Sequence, residues 1–143
     1  MKILAVDLGK VRTGLAICDS MEVLASPLAV LRQTNREKLS AEISRIAKEE
    51  GAQQLVLGLP KNMDGSEGES AQAARSFSKL LERDSGLPVI LRDERGTTIS
   101  AHEALNVTNT RGNKRKAVVD AVAAVIILQN YLDYRKNRGS VSS

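Results

Sequence analysis

An aspartate inside an apolar segment is the most informative feature of this sequence. Residues 117–128 read AVVDAVAAVIIL, and Asp120 is the only polar residue among them. A helix that is apolar on nearly every side is buried, and a carboxylate placed there needs a partner, a metal ion or a proton. Two other acids, Asp7 and Glu94, follow directly on short apolar runs. The three acids therefore suggest one shared site.

Each acid also has a simpler explanation. Asp7 begins an Asp-Leu-Gly sequence, which is a good turn. Glu94 falls in the charged run RDER, where Asp93 competes with it for any inward role and where an exposed loop is an equally simple interpretation. Asp120 lies near the predicted start of the last helix, where the helix dipole stabilises an acid by roughly 0.3–1 kcal/mol. No single explanation of this kind accounts for all three.

Taken together, the three acids are typical of metal-assisted phosphodiester hydrolysis. Mg²⁺ prefers oxygen ligands and keeps water and substrate phosphate oxygens in its shell. Two such ions about 3.5–4 Å apart can activate a water and stabilise the leaving oxygen, and cations also relieve the repulsion between clustered carboxylates. We therefore predict a catalytic site for Mg²⁺ (or Mn²⁺) at Asp7, Glu94 and Asp120.

Basic residues directly before Asp120 indicate the substrate. We call Arg111, Lys114, Arg115 and Lys116 the basic segment, and we expect it to hold phosphates that flank the site. The alternative is a solvated helix start without a partner. Aromatic residues, which could stack on single-stranded bases, are few: Phe77, Tyr131 and Tyr134. The predicted target is thus the phosphate backbone or the overall shape of a nucleic acid.

Alternating and helical patterns predict the elements that position these residues. We predict strands at 3–7, 13–18, 23–31, 54–59 and 89–91, and helices from a Thr34 capping box to Gly51, then at 70–83, 98–105 and 115–135. Tight turns make the first three strands an antiparallel meander, with Pro27 on an edge strand. Two helical crossovers then add parallel strands. This order predicts an α/β fold with a mixed five-stranded sheet and helices on both faces.

Length and composition limit the class of protein. The 143 residues suit one domain, which we place at 1–134, followed by a disordered basic tail at 135–143. One cysteine excludes an internal disulfide and favours a reducing, cytoplasmic location. No run of 18 apolar residues exists, so we expect no membrane partner. The net charge of +4 weakly favours polyanions.

Four segments resemble the YqgF family: VDLGKVRTGLA at 6–16, LVLGLPKNMDGSEG at 55–68, DERGTT at 93–98 and DAVAAVIILQNYL at 120–132. The resemblance implies a ribonuclease H-like fold and metal-binding acids at Asp7, Glu94 and Asp120. It also implies a nuclease, described for the family either as maturing the 5′ end of pre-16S ribosomal RNA or as resolving Holliday junctions. Further matches to motif positions are Gly14, Asn62, Asp64, Arg95 and Thr98, with residues 62–65 expected to form a tight loop near the site.

Several questions of function stay open at this stage. We expect Arg12, Lys61 and Arg95 to bind substrate together with the basic segment. The substrate is pre-16S ribosomal RNA, with the ribosome or its small subunit as a partner, or else branched DNA. A monomer suits the first and a homodimer suits the second. Two other classes remain, an ATP-using relative and a non-catalytic ribosome-assembly or nucleic-acid-binding module.

Overall fold

Five strands form one mixed sheet in the computed structural model. The structure describes residues 1–62 and 64–93, the backbone of the last helix, and the side chains of 121–137 within that helix. The strands are β1 (Ile3–Asp7), β2 (Thr13–Cys18), β3 (Ala25–Leu31), β4 (Gln54–Leu59) and β5 (Val89–Asp93). Their order across the sheet is β3-β2-β1-β4-β5. β1, β2 and β3 pair antiparallel, while β4 and β5 are parallel to β1. The predicted meander with two added parallel strands is confirmed.

Alternation along the strands creates two cores, one on each face of the sheet. The described helices are α1 (Arg36–Glu50), α2 (Glu69–Ser85) and α3 (Gly112–Ser142). Leu4 and Val6 belong to the core that includes α1 and α2. Ile3 and Ala5 belong to the core that includes α3. Helices therefore cover both faces, as predicted.

Local hydrogen bonds move two element boundaries from their predicted places. α1 is capped by Asn35, whose side chain accepts the N–H of Lys38 at 3.0 Å, so the capping box predicted at Thr34 is wrong. Asparagine is a better helix N-cap than threonine, so the helix begins after Asn35 rather than after Thr34. β3 begins at Ala25 because the Asp19 carboxylate accepts the N–H groups of the two preceding residues, at 2.8 and 3.3 Å. Pro27 lies on an edge strand, as expected.

The last helix is longer than predicted at both ends. α3 begins at Gly112, within what the sequence predicts as a loop, and continues to Ser142 past the predicted end at residue 135. Arg135 lies inside it and its Nε donates to Glu22 at 2.6 Å, which joins this part of the helix to the β2–β3 loop. The predicted helix at 98–105 lies outside the described residues. Among the described helices, none has the length and hydropathy required of a membrane span.

Candidate active site

Asp7 lies at the carboxyl edge of the sheet. It is the last residue of β1, and the parallel strands β4 and β5 end at the same edge. Arg12, in the turn after β1, and Lys61, two residues after β4, are at this edge too. Ligands of α/β sheets gather outside the carboxyl ends of strands. The fold thus brings three of the predicted site residues to one edge.

Glycines flank Asp7 on both neighbouring strands. Asp7 shares the α3 face with Ile3 and Ala5 because side chains alternate along a strand. Gly14 of β2 is paired with Asp7, and Gly58 of β4 comes one residue beyond the Val6–Leu57 pair. Neither glycine carries a side chain that would fill the space beside the carboxylate. We call the space beside Asp7, between Gly14 and Gly58, the cradle. Asp7 is half-buried, so the cradle lies next to a carboxylate that is partly withdrawn from water.

The turn that follows Asp7 is closely packed. A Cβ built on Gly9 would lie 2.1 Å from the backbone oxygen of Arg12, so the two parts of the turn nearly touch. Arg36, the first residue of α1, donates from Nη2 to the Gly9 oxygen at 3.1 Å. These contacts fix the path of the chain between Asp7 and Arg12.

The predicted tight turn after β4 is present. The N–H of Gly65 donates to the Asn62 oxygen and the N–H of Asn62 to the Ser66 oxygen, both at 2.8 Å, and Gly65 has φ +90°. The Asp64 carboxylate accepts the Ser66 hydroxyl at 2.6 Å and the Ser66 N–H at 2.9 Å. Asn62 and Asp64 therefore shape a loop at the same edge as Asp7.

The strand register separates Asp93 from Asp7. Asp93 pairs with Leu59, whose side chain belongs to the core of α1 and α2. Side chains in register on parallel strands lie on the same face, so Asp93 is on the face opposite Asp7. This placement disfavours Asp93 as a partner of Asp7. Glu94 and Arg95 follow Asp93 in the chain and lie outside the described residues.

The helix position of Asp120 weakens the dipole explanation for it. Asp120 comes eight residues after Gly112, about two turns into α3, whereas the dipole effect falls off within the first turn. Further along α3, the Tyr131 hydroxyl donates to Gln54 at the start of β4, at 2.9 Å. Measured along α3, Asp120 lies about 16 Å before Tyr131. Measured along β1, Asp7 lies about 13 Å beyond Ile3, the residue that pairs with Gln54. Arg135, one turn after Tyr131, binds Glu22, which also binds the amine of Met1, so α3 runs antiparallel to β1. The backbone of α3 thus brings Asp120 to a height comparable with Asp7; its side chain lies outside the described ones.

The basic segment begins α3. Lys114, Arg115 and Lys116 lie in its first two turns, their side chains outside the described ones, and Arg111 lies outside the described residues. The helix dipole disfavours cations at a helix N-terminus. Their concentration at this end, where the backbone dipole is also positive, favours an anionic partner over a merely solvated helix start.

The described side chains include one of the three predicted metal ligands, Asp7. Within that part of the chain, no group of three His, Cys, Asp or Glu residues is placed to hold a metal ion. Glu94 and Asp120 are not among the side chains so searched. The complete ligand set therefore stays a prediction.

Sequence reasoning gave Arg92 no role: it ended the last strand at residue 91 and left Arg92 in the charged run RDER, for which an exposed loop was one of two interpretations. Arg92 is the fourth residue of β5, and it pairs with Gly58. Its guanidinium carbon lies 4.8 Å from the ring centroid of Tyr134 and 5.9 Å from that of Tyr131. The alternation in VILR could have placed it on the α3 face, had the strand been predicted to extend to Asp93.

The sheet order and the two helical layers define a ribonuclease H-like fold. RuvC of Thermus thermophilus, solved in complex with a Holliday junction substrate, superposes with a TM-score of 0.62 at 14% identity, covering 96% of each chain. The fowlpox virus resolvase, solved with Holliday junction DNA, gives 0.58 at 15% identity, covering 94% of this chain and 98% of that one. The predicted fold class is confirmed.

The family model described as "RuvX: Holliday junction resolvase" matches residues 1–134, and the chain belongs to this family, for which YqgF is another name. A Clostridium beijerinckii protein is 44% identical over 133 residues, which cover 93% of this chain and 96% of the relative. An Anaeromyxobacter protein is 44% identical over 135 residues, covering 94% and 98%. Both carry the name "Putative pre-16S rRNA nuclease". The family assignment and the class of phosphodiester-hydrolysing enzyme are confirmed, and such nucleases generally depend on divalent metal ions.

Proposed function

We propose that this chain is a Mg²⁺-dependent endonuclease that matures the 5′ end of pre-16S ribosomal RNA in the cytoplasm. The observation that carries the proposal is the position of Asp7, at the carboxyl edge of the sheet and on the face covered by α3, with glycines on both sides. The names of its relatives support ribosomal RNA as the substrate.

The cradle beside Asp7 fits a hard cation. Its described donor is a carboxylate, the ligand type that Mg²⁺ prefers, and Gly14 and Gly58 add no side chain where Mg²⁺ would keep its waters and phosphate oxygens. We propose Asp7, Glu94 and Asp120 as the residues that hold it, with Mn²⁺ as a substitute. When bound, the metal supplies activation of a water and stabilisation of the leaving oxygen.

Helical periodicity supports Asp120 as a member of this set. Asp120 lies one turn before Ala124, which is buried against the face formed by Ile3 and Ala5. Residues four apart lie on the same side of a helix. We therefore expect the Asp120 carboxylate to face the sheet, near the end of β1.

The basic residues of the same edge would hold the substrate in place. Arg12 lies in a turn fixed by Gly9, and Lys61 directly precedes the Asn62–Ser66 turn. Contacts of Arg12, Lys61, Arg95 and the basic segment to phosphates would position one phosphodiester bond beside Asp7 without reading its sequence. The small ribosomal subunit is the partner that would present such an RNA.

Cleavage of Holliday junctions is the second candidate, and the description of the family favours it. Symmetric cutting of a four-way junction needs two sites, and therefore a homodimer, whereas a monomer suffices for trimming RNA. Comparing cleavage of a 5′-extended 16S ribosomal RNA fragment with that of a labelled four-way junction decides between them. If neither is cleaved in Mg²⁺ or Mn²⁺, the chain is a non-catalytic binding module.

Replacing Asp7 with Asn tests the site. We expect Asp7→Asn to lower the cleavage rate by more than about 100-fold, because it removes a charged metal ligand, while leaving the melting temperature close to that of the parent. Asp133→Asn is the matched control, since Asp133 is an exposed acid on α3 whose helical neighbour is Gln129. Cleavage by Asp7→Asn at the parent rate would contradict the proposal.

A further inference from the structure

Arg92, Tyr131 and Tyr134 form a cluster on the α3 face of the sheet, which we call the Arg92 cluster. The two rings stack at 6.4 Å between centroids with an interplanar angle of 21°, and the Arg92 guanidinium lies over both. Tyr131 is buried and its hydroxyl is bound to Gln54, whereas Tyr134 is 45% exposed. The third aromatic side chain of the protein, Phe77, is in the core.

The guanidinium of Arg92 is held in place without an acidic partner. Within the described part of the chain its contacts are the two tyrosine rings. Cation–π contact fixes a guanidinium but leaves its N–H edge able to donate. Among the described arginines, ion pairs with carboxylates are formed by Arg45, Arg75, Arg83 and Arg135. Arg92 is thus prepared for an anion that the described residues do not supply.

The Arg92 cluster begins at the level of the candidate active site and extends from there toward the start of β4, because the Tyr131 hydroxyl binds Gln54, about 13 Å of strand before the level of Asp7. Asp7, Gly58 and Arg92 stand at one level on three adjacent strands, all on the α3 face. Two strand spacings separate the Cα atoms of Asp7 and Arg92 by about 10 Å. Gly58 has no side chain to block the path between them. A strand of nucleic acid with one phosphate at Asp7 would therefore reach the Arg92 guanidinium and Tyr134 a few nucleotides further along its backbone.

We propose that the Arg92 cluster binds the single-stranded part of the substrate a few nucleotides from the cleaved bond. Arg92 donates to a phosphate of that strand, and a base stacks on the exposed ring of Tyr134. Aromatic rings are few in this chain, but two of them are gathered here with an arginine, which is the composition of a single-strand binding surface. The proposal rests on the proposed function, because it takes nucleic acid as the substrate and Asp7 as the site of cleavage.

Binding of short fluorescein-labelled oligonucleotides in EDTA tests the stacking contact. We expect Tyr134→Ala to weaken binding of single-stranded RNA or DNA by about 5- to 100-fold, as loss of a stacked base does. Tyr134→Phe keeps the ring and should bind like the parent. A duplex of the same sequence offers no free base, so Tyr134→Ala should change its affinity little. Equal losses on duplex and single strand, or equal losses in Tyr134→Phe and Tyr134→Ala, would overturn the stacking contact.

Salt dependence tests the phosphate contact. Arg92→Ala should lower the slope of log affinity against log salt for single strands by about 0.7, the value for one phosphate contact. Arg92→Lys keeps the charge and should retain the slope. Arg45→Ala removes one charge from an exposed ion pair on α1 and should leave the slope unchanged. A parent-like slope in Arg92→Ala, or the same loss in Arg45→Ala, would overturn the phosphate contact.

Measuring cleavage separates this proposal from the proposed function. Asp7→Asn should bind the single strand in EDTA like the parent but fail to cleave in Mg²⁺. If Asp7→Asn cleaves normally, the proposed active site is wrong even where the Arg92 variants bind weakly. If Asp7→Asn is inactive while the Arg92 and Tyr134 variants bind and cleave like the parent, the active site stands and the Arg92 cluster is not part of the substrate surface.

Discussion

Gly9 is the residue whose substitution best tests how the fold positions Asp7. A methyl group added at Gly9 would stand 2.1 Å from the backbone oxygen of Arg12, where Cβ contacts under 3.0 Å are essentially never found. The obstacle is backbone, so a side-chain rotation cannot relieve it. In Gly9→Ala the turn must open by about 1 Å, which displaces Arg12 and the chain directly after Asp7.

The expected cost of Gly9→Ala follows from this displacement. Overpacking of a closely packed site costs about 1–3 kcal/mol. For a domain of this size, 1 kcal/mol corresponds to a fall in melting temperature of about 4 °C, so we expect a fall of about 4–12 °C. A misplacement of 1 Å near reacting groups can lower a rate by about 100-fold. We expect cleavage, measured well below the melting temperature, to fall on that scale.

Gly86→Ala is the matched control for this prediction. Gly86 ends α2 with φ +70° and has open space around it, so alanine is strained there by its backbone conformation rather than by a clash. The left-handed conformation costs an alanine roughly 1–2 kcal/mol, a comparable loss of stability, but Gly86 lies at the opposite edge from Asp7. Unchanged melting and cleavage in Gly9→Ala, or an equal loss of cleavage in Gly86→Ala, would refute the reasoning.

Three further changes test other parts of the structure. Asp120→Asn should leave the melting temperature in metal-free buffer unchanged or raise it, since it removes repulsion among the acids, and a large fall would favour the dipole explanation. The hydrogen bond from Arg135 lowers the pKa of Glu22 below its ordinary value of 4.5. The parent should therefore be more stable than Glu22→Gln above pH 4.5, and this difference in stability should disappear as the pH falls through the lowered pKa. A difference that does not change with pH would contradict this. Changing the whole basic segment to Ala should weaken binding to unrelated structured nucleic acids alike and lower the salt slope by about 0.7–0.9 per lost contact. Parent-like binding and cleavage across a salt series would mean that the segment is only a solvated helix start.

Sequence reasoning predicted the sheet well because alternation and turn residues are local signals. The bounds of β1, β2 and β4 agree with the structure residue by residue, and Gly51 ends α1 in the left-handed conformation, as expected. Errors arose where two residues compete for one role, as at the N-cap of α1. They also arose at the two ends of α3, which begins at Gly112 and continues to Ser142, beyond the predicted 115–135.

The candidate site was predictable only in part because its neighbours come from strand register. Asp7 and the acids expected to join it could be chosen from apolar runs alone. That Gly14 and Gly58 flank Asp7, and that Arg92 stands at the same level, depends on how three strands align. Tyr131 and Tyr134 are three residues apart and therefore neighbours on a helix, but nothing local indicates that an arginine of β5 lies over them.

Asp7 and the two glycines beside it are residue types that destabilise a sheet. This supports a functional role for Asp7 rather than a role in forming a simple turn. Asp7 is paired within the central strand, and aspartate is depleted in strands. Gly14 and Gly58 lie at the same level, and glycine inside a strand weakens it. Three locally unfavourable residues at one level of an otherwise well-patterned sheet are what a functional site, rather than a turn, requires. The Asp-Leu-Gly turn explains Gly9, which the close approach of Arg12 demands, but it gives no reason for glycine at Gly14 or Gly58.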